Sequence, residues 1–336
     1  MIGYYIHHHG HGHLNRALSI GEHLRSPVTA LTSLELTDPH PFTATVPLAR
    51  DDAADTVAEP TAHGALHWVP HHDPGLQQRM QTIAQWVAQA RPAAVVVDVS
   101  VEVATFLRLL GVPVIVVAQP GKRVDVPHVM VYRLADHIIA PWPQELCVPG
   151  WLRPYAAKTT YSGGITRFEG RGRPTTGAGE RPTVLVLGGA GGSALDADAV
   201  AAVAADSPGY AWTTLGVSGG PWTPDPWPQL CAADVVVGHA GQGCVADIAA
   251  AEKPAVIVPQ MRPFDEQHMT ARVLRRHRLA VVSRQWPARQ AWPALLAHAR
   301  TADAARWRRW GVHGAAARAA AAIEDTARRC ARSSAR

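Results

Sequence analysis

Short apolar runs recur along this chain, and amphipathic or polar stretches separate them. Ile2–Ile6, residues 28–31, 42–46 and 94–97, and Val114–Val117 are such runs. Most are continuously apolar, which predicts strands buried on both faces of a parallel sheet. A turn at residues 10–13 leads into an amphipathic helix over 14–24, and further helices are predicted over 77–89, ended by Arg91-Pro92, and over 102–110. Residues 135–141 add another strand-loop step. The pattern then breaks between Gly163 and Pro182, a stretch rich in Gly, Arg and Pro. It restarts at Thr183–Leu187 and continues as a strand over 233–237, a helix over 244–251 and a strand over 255–258. Strands alternating with helices imply an α/β fold with parallel sheets and right-handed crossovers. Residues 303–332 are Ala-rich, with Trp307, Trp310 and Ile323 as scarce apolar anchors.

The 336 residues suit two domains. The divisions expected are 1–164, a linker over 165–182, a second domain over 183–310, and a helix and tail over 311–336. Hydrophobic residues make up 47% and charged ones 18%, which is a globular rather than a disordered balance. No apolar run approaches the roughly 20 residues that span a bilayer, and Met1-Ile2-Gly3-Tyr4-Tyr5-Ile6 does not read as a signal peptide. The four cysteines lack disulfide or zinc spacing. A reduced, cytoplasmic setting is expected. The net charge of +5 resides largely in late arginines such as Arg272, Arg275, Arg276, Arg308 and Arg309. Without aromatic-basic interleaving these do not indicate nucleic acid. They are expected to be solvated faces or a peripheral contact with anionic lipid.

The richest local signal is Gly238-His239-Ala240-Gly241-Gln242-Gly243-Cys244, between a predicted strand and a predicted helix. Glycines let backbone approach a phosphate, and the helix N-terminus offers free N–H groups and a positive dipole end. His239 adds a donor, and Asp247, one turn into the helix, is placed to accept ribose hydroxyls. Phosphate and ribose together point to a nucleotide.

Residues 234–259, followed by Phe264-Asp265-Glu266-Gln267, resemble the donor-binding half of GT-B glycosyltransferases. The likeness is to the lipid II-forming N-acetylglucosaminyltransferase of family 28 and to macrolide and other antibiotic glycosyltransferases, whose motif reads HGGAGT. Here those positions read His239-Ala240-Gly241-Gln242-Gly243-Cys244. The resemblance implies two Rossmann-like domains facing a cleft, with the last helix crossing back to the first domain. It implies nucleotide contacts from His239, Gly241, Gln242, Gly243 and Asp247, where the family usually has Glu at the last position. It implies donor-sugar contacts from Glu266 and Gln267, or from Asp265 and Gln267 in a register one residue removed. Leu187-Gly188-Gly189-Ala190-Gly191-Gly192-Ser193 resembles the family's GGSQGA loop, which places Gly189, Ala190 and Gly191 beside the diphosphate. Trp227-Pro228-Gln229 resembles the segment that meets the base, so Trp227 either stacks there or packs internally.

The N-terminal run His9-Gly10-His11-Gly12-His13-Leu14-Asn15-Arg16 lies between the first strand and the first helix, at the carboxyl edge where open α/β sheets place ligands. Its form G-x-G-H-x-x-R resembles the first loop of the same enzymes and of a related nucleotide-sugar hydrolase. The resemblance makes His13 the catalytic base, a role that suits imidazole near neutrality. The alternatives are a helix cap or a phosphate ligand. By resemblance to plant and antibiotic glycosyltransferases of this fold, Asp98, at the end of the strand over 94–97, would orient His13; the alternative is a cap on the next helix, which Ser100 would also serve. Gly12 is expected beside the donor, and Arg16, Ser100 and Gln119 on the acceptor side. Loops such as residues 63–75 are expected to choose the acceptor. His7, His8, His9 and His11 invite a metal reading, but consecutive residues on a strand end point in alternate directions. No DxD-type carboxylate pair is apparent either, so only adventitious metal binding is expected.

These expectations converge on an inverting, metal-independent transferase that needs no cofactor. It moves a sugar from a nucleoside-diphosphate sugar, UDP-linked, to a small-molecule or lipid-linked acceptor, and acts as a monomer or homodimer. The alternatives are a nucleotide-sugar hydrolase of the same fold and a non-catalytic sugar-nucleotide-binding protein.

Overall fold

The computed structural model describes residues 1–52, 56–174, 179–189 and 196–333. The first half comprises β1 (Ile2–Ile6), α1 (His11–Gly21), β2 (Val28–Thr32), β3 (Ala44–Pro47), α2 (Pro74–Ala90), β4 (Ala94–Asp98), α3 (Val101–Leu109), β5 (Val114–Val117), α4 (Val126–Leu134), β6 (His137–Ala140) and β7 (Thr159–Tyr161). The second comprises β8 (Thr183–Leu187), α5 (Ala197–Ala205), β9 (Ala211–Leu215), α6 (Trp227–Ala232), β10 (Val235–Gly238), α7 (Gln242–Ala251), β11 (Ala255–Ile257), α8 (Glu266–Arg276), β12 (Val281–Val282) and α9 (Trp292–Arg300), before α10 (Ala315–Ser333) closes the chain. The strands form a seven-stranded sheet, ordered β3-β2-β1-β4-β5-β6-β7, and a five-stranded sheet, ordered β12-β11-β10-β8-β9. Every pairing is parallel. The continuous apolar runs β1, β2, β4 and β5 are wholly buried, as strands covered by helices on both faces must be.

α10 lies against the first sheet. Ala315, Ala316, Ala319, Ala320, Ile323 and Ala327 share one core cluster with Ile2, Tyr4 and Ile20. Alanines at helical spacing let the helix approach closely, and Ile323 fills the centre of the contact. Glu324 fixes its register: Oε1 accepts hydrogen bonds from the backbone N–H groups of Arg25 at 3.0 Å and Ser26 at 2.8 Å. The Gly- and Arg-rich stretch after β7 is no free tether. Ile165 and Phe168 are buried, and Arg171 pairs with Asp225 at 2.6 Å. Among the described residues no helix is long and apolar enough to cross a membrane.

The helix expected to start at residue 14 starts at His11, so His13 lies in its first turn rather than in a loop. Gly10, at φ 85°, makes the left-handed step that permits this early start.

Candidate active site

Strand pairing assembles the first constellation. β1 and β4 are neighbours, with Ile6 opposite Asp98, so the start of α1 is delivered over the end of β4. His13 Nδ1 lies 2.9 Å from Asp98 Oδ1. Asp98 is fully buried. One turn further along α1, Arg16 donates from Nε to Oδ2 at 2.8 Å and from Nη2 to Oδ1 at 2.7 Å. Burial alone would raise the Asp98 pKa, but the charges of Arg16 and then His13 outweigh it and hold the carboxyl well below the usual range. Asp98 is therefore a permanent anion. With Nδ1 turned toward it, His13 keeps Nε2 as its free ring nitrogen, on a side chain 20% exposed.

This arrangement corrects several expectations. Arg16 is buried, and its donors go to Asp98 and, at 2.8 Å, to Gln242 Oε1 on the second half. It holds the pair together and bridges the halves instead of facing an acceptor. His13 is not a helix cap, because Gly10 occupies the N-cap of α1. Ser100 both caps α3, with Oγ accepting from Val103 N–H at 3.1 Å and donating to Glu102 Oε2 at 3.1 Å, and lines the cavity described next, so there the expectation stands beside the cap. Between Asp98 and Ser100, Val99 is held at φ 69°. A β-branched residue there costs on the order of 1–3 kcal/mol, a strain typical of functional turns.

Beside this constellation lies a cavity of about 460 Å³ at the carboxyl edge of the first sheet. Val97, Val116, Val117 and Val131 contribute apolar lining, and Trp68, Tyr132 and Phe264 give it aromatic character. Gln119 also lines it, buried, with an Nε2 that has no hydrogen-bond partner among the described residues. His67 Nε2 lies 2.6 Å and His128 Nδ1 2.7 Å from the two oxygens of Asp125. Burial and the neighbouring Arg123 push His128 down to about 4, so it is neutral at pH 7. Phe264 comes from the second half and is gripped there. Its carbonyl accepts from Lys122 N–H at 2.7 Å, and its ring lies 4.4 Å from the Arg123 guanidinium carbon. Phe264 and Asp265 both have φ 58°, a left-handed pair that turns the ring toward the first half.

The second half meets the cleft mainly with backbone. His239 follows β10, and its Nδ1 accepts from Gly241 N–H at 3.0 Å, which places the neutral ring's proton on Nε2. Burial and then Arg262 push this ring down to about 4. The ring is packed between two glycines: a Cβ on Gly189 would lie 2.9 Å from Nε2, and one on Gly241 2.6 Å from Cε1. Gly241 caps α7, whose first turn holds Gln242 and Gly243. Gln242 Nε2 is buried without a hydrogen-bond partner among the described residues. Gly12 and Gly243 are exposed, with open space beside their Cα atoms. Asp247 Oδ1 accepts from Thr166 Oγ1 at 2.6 Å, and burial pushes its carboxyl up to about 6.

Other expected donor contacts are placed differently. Trp227 is 1% exposed, with Nε1 donating to Gly172 O at 2.9 Å and its ring against Phe168, so it packs internally and presents no face to a base. Gln267 is buried, and its Oε1 accepts from Ala240 N–H at 3.1 Å and Gln260 N–H at 2.9 Å. It therefore ties the glycine turn to α8 rather than offering that oxygen to a sugar. Glu266 Oε2 pairs with Arg123 Nη2 at 3.0 Å across the cleft. Asp265 faces His268 and Arg272 at 3.4 and 3.5 Å. Ala190 and Gly191 lie outside the described residues.

Two parallel sheets facing a cleft, with the last helix returned to the first, are the GT-B fold. Residues 217–289, which carry α6, the glycine turn and α8, match the glycosyltransferase family 28 C-terminal domain. A comparison with curated protein sequences finds no match. Similar solved structures include the glycotransferase of kitacinnamycin, 17% identical over 97% of this chain and 98% of that one, with a TM-score of 0.69. MurG of Acinetobacter baumannii is 15% identical over 96% and 99%, with a TM-score of 0.64. UGT89C1 of Arabidopsis thaliana, complexed with UDP, is 13% identical over 98% and 99%, with a TM-score of 0.68.

Proposed function

We propose that this protein is an inverting, metal-independent glycosyltransferase that moves a sugar from a UDP-sugar to an organic acceptor hydroxyl. The observation that carries the reading is His13, held by the buried Asp98–Arg16 pair, with its ring 6.0 Å from that of His7, which lines the 460 Å³ cavity together with Val97 and Val99 on either side of Asp98. The acceptor occupies that cavity. His13 Nε2 takes its hydroxyl proton as the oxygen attacks C1 of the sugar from the face opposite the diphosphate, and the configuration inverts. Asp98 stabilises the imidazolium that forms. The departing diphosphate receives the free N–H groups of the first turn of α7 and the Nε2–H of His239, so its charge is met by fixed dipoles. Asp247 accepts a ribose hydroxyl. The UDP complex of UGT89C1 and the family 28 match over the glycine turn support this placement of the donor.

The test is direct. Purified protein is incubated with UDP-glucose, UDP-N-acetylglucosamine or dTDP-glucose, with and without a panel of phenolic and aliphatic alcohols, and products are read by mass spectrometry. Glycosylated acceptor and free UDP are expected. Free sugar released at the same rate without any acceptor would make it a hydrolase, and dTDP-sugar turned over in preference to UDP-sugars would overturn the assigned base.

A further inference from the structure

We infer that His8, His9 and Asp52 form a binding site for a divalent transition-metal cation at the rim of the acceptor cavity. The strand alternation that separates neighbouring histidines stops at Ile6, where β1 ends. Beyond it the rings of His8 and His9 lie 4.4 Å apart, and both turn Nε2 toward one oxygen. Asp52 Oδ2 is 3.2 Å from His8 Nε2 and 3.1 Å from His9 Nε2. In a tetrahedral site with metal–ligand bonds of about 2.0–2.2 Å, ligand atoms stand about 3.3–3.5 Å apart. All three ligand atoms lie within 4.8 Å of one another, so the set closes around an ion once the two imidazoles draw together.

A second observation is independent of those distances. The His8 side chain is 1% exposed, yet neither ring nitrogen has a hydrogen-bond partner among the described residues. The approach to Asp52 is close but not oriented as a hydrogen bond. A buried polar ring without a partner is costly, and coordination through Nε2 relieves that cost. Two imidazoles and one carboxylate suit zinc, cobalt or nickel rather than magnesium or calcium. Three protein ligands leave a fourth position, and His9 and Asp52 both line the cavity, so that position faces it. Arg50 is the competitor. It donates to Asp52 from Nε at 2.9 Å and Nη2 at 2.7 Å, but its side chain is 57% exposed and free to swing out. The site stands apart from His13 and does not depend on the transferase reading.

Zinc titration of the chelator-treated full chain by calorimetry tests this, with circular dichroism confirming that each variant folds. His8→Ala and Asp52→Asn should each weaken binding by about tenfold or more. His11→Ala, at an exposed histidine outside the cluster, should bind like the parent, and Arg50→Ala should bind as tightly or more tightly. Asp52→Asn keeps the test open if His8→Ala does not fold. Parent-like binding by Asp52→Asn, or equal losses in His11→Ala, would mean an adventitious ion only, held by the exposed histidine run.

Discussion

The two edges of the cleft are built from different materials. The first half presents charged and imidazole side chains locked to one another: His13 is held by the buried Asp98 and Arg16, and His67, Asp125 and His128 form a second, half-buried set. The second half presents glycines and a helix terminus, with His239 packed between Gly189 and Gly241. Proton transfer needs an ionisable group held in one tautomer, which takes side-chain partners with opposed charges. Binding a diphosphate needs close backbone approach, which side chains would obstruct. Each edge is rigid for its own reason, and substitutions should damage the two edges in different ways.

The largest effect is expected at the buried pair. Asp98→Asn leaves Arg16 buried without its counter-charge, so stability should fall by about 3–5 kcal/mol in urea unfolding, beyond any loss of rate. A neutral result would mean that Arg16 finds water or another anion. Next comes pH. His7, His128 and His239 are held at about 3, 4 and 4, chiefly by burial, so below 6.5 the unfolded chain takes up protons that the fold refuses, and stability falls as pH falls toward 4. Asp247, raised to about 6, acts in the opposite sense: the fold keeps a proton that the unfolded chain has lost, so its contribution falls as pH rises from about 4 to 6. Asp247→Asn should therefore be more stable than the parent at pH 7, by at most on the order of 3 kcal/mol, and equal to it below pH 4. Thermal unfolding of both proteins across that range decides it.

Glycine substitutions sharpen the contrast between the edges. In Gly188→Ala the new Cβ would stand 1.9 Å from Gly216 O, backbone against backbone. About 1–3 kcal/mol of stability should be lost, together with nucleotide affinity in calorimetry. Gly12→Ala, in the first turn of α1 with nothing within 4 Å, should be neutral or gain about 0.5–1 kcal/mol from lower backbone entropy in the unfolded chain. Equal damage at both glycines would remove the distinction drawn here.

What the sequence disclosed follows the same division. The continuous apolar strands and the two glycine turns are local signals, so β1, β4, β5, β8, β10 and α7 were legible from pattern alone. β9 was not, because its residues are only half-buried at the sheet edge and include Thr213 and Thr214. The His13–Asp98 pair was legible through the resemblance, which assigns a base to the first loop and an orienting Asp to this strand end; the structure adds that β1 and β4 pair side by side. The clamp by Arg16 was not, since a bidentate contact leaves no trace in spacing. The cavity was least visible of all. Trp68, Tyr132, Arg123 and Phe264 come from separate segments, and only the fold brings them together. Phe264 did carry one faint signal, as a lone aromatic among polar residues in a predicted sugar-contacting turn. Trp227 stayed open between stacking and packing for the converse reason: a motif position does not reveal that Phe168 and Gly172 O already occupy its ring and N–H.

The central claim is that His13 moves the proton while the second half alone holds the donor. Its most direct test is the single-turnover rate of His13→Ala at saturating UDP-sugar and acceptor, measured alongside UDP affinity. The account predicts a rate lower by about 10²–10⁴-fold with UDP affinity unchanged. A near-parental rate, or a loss of affinity that matches the loss of rate, would contradict it.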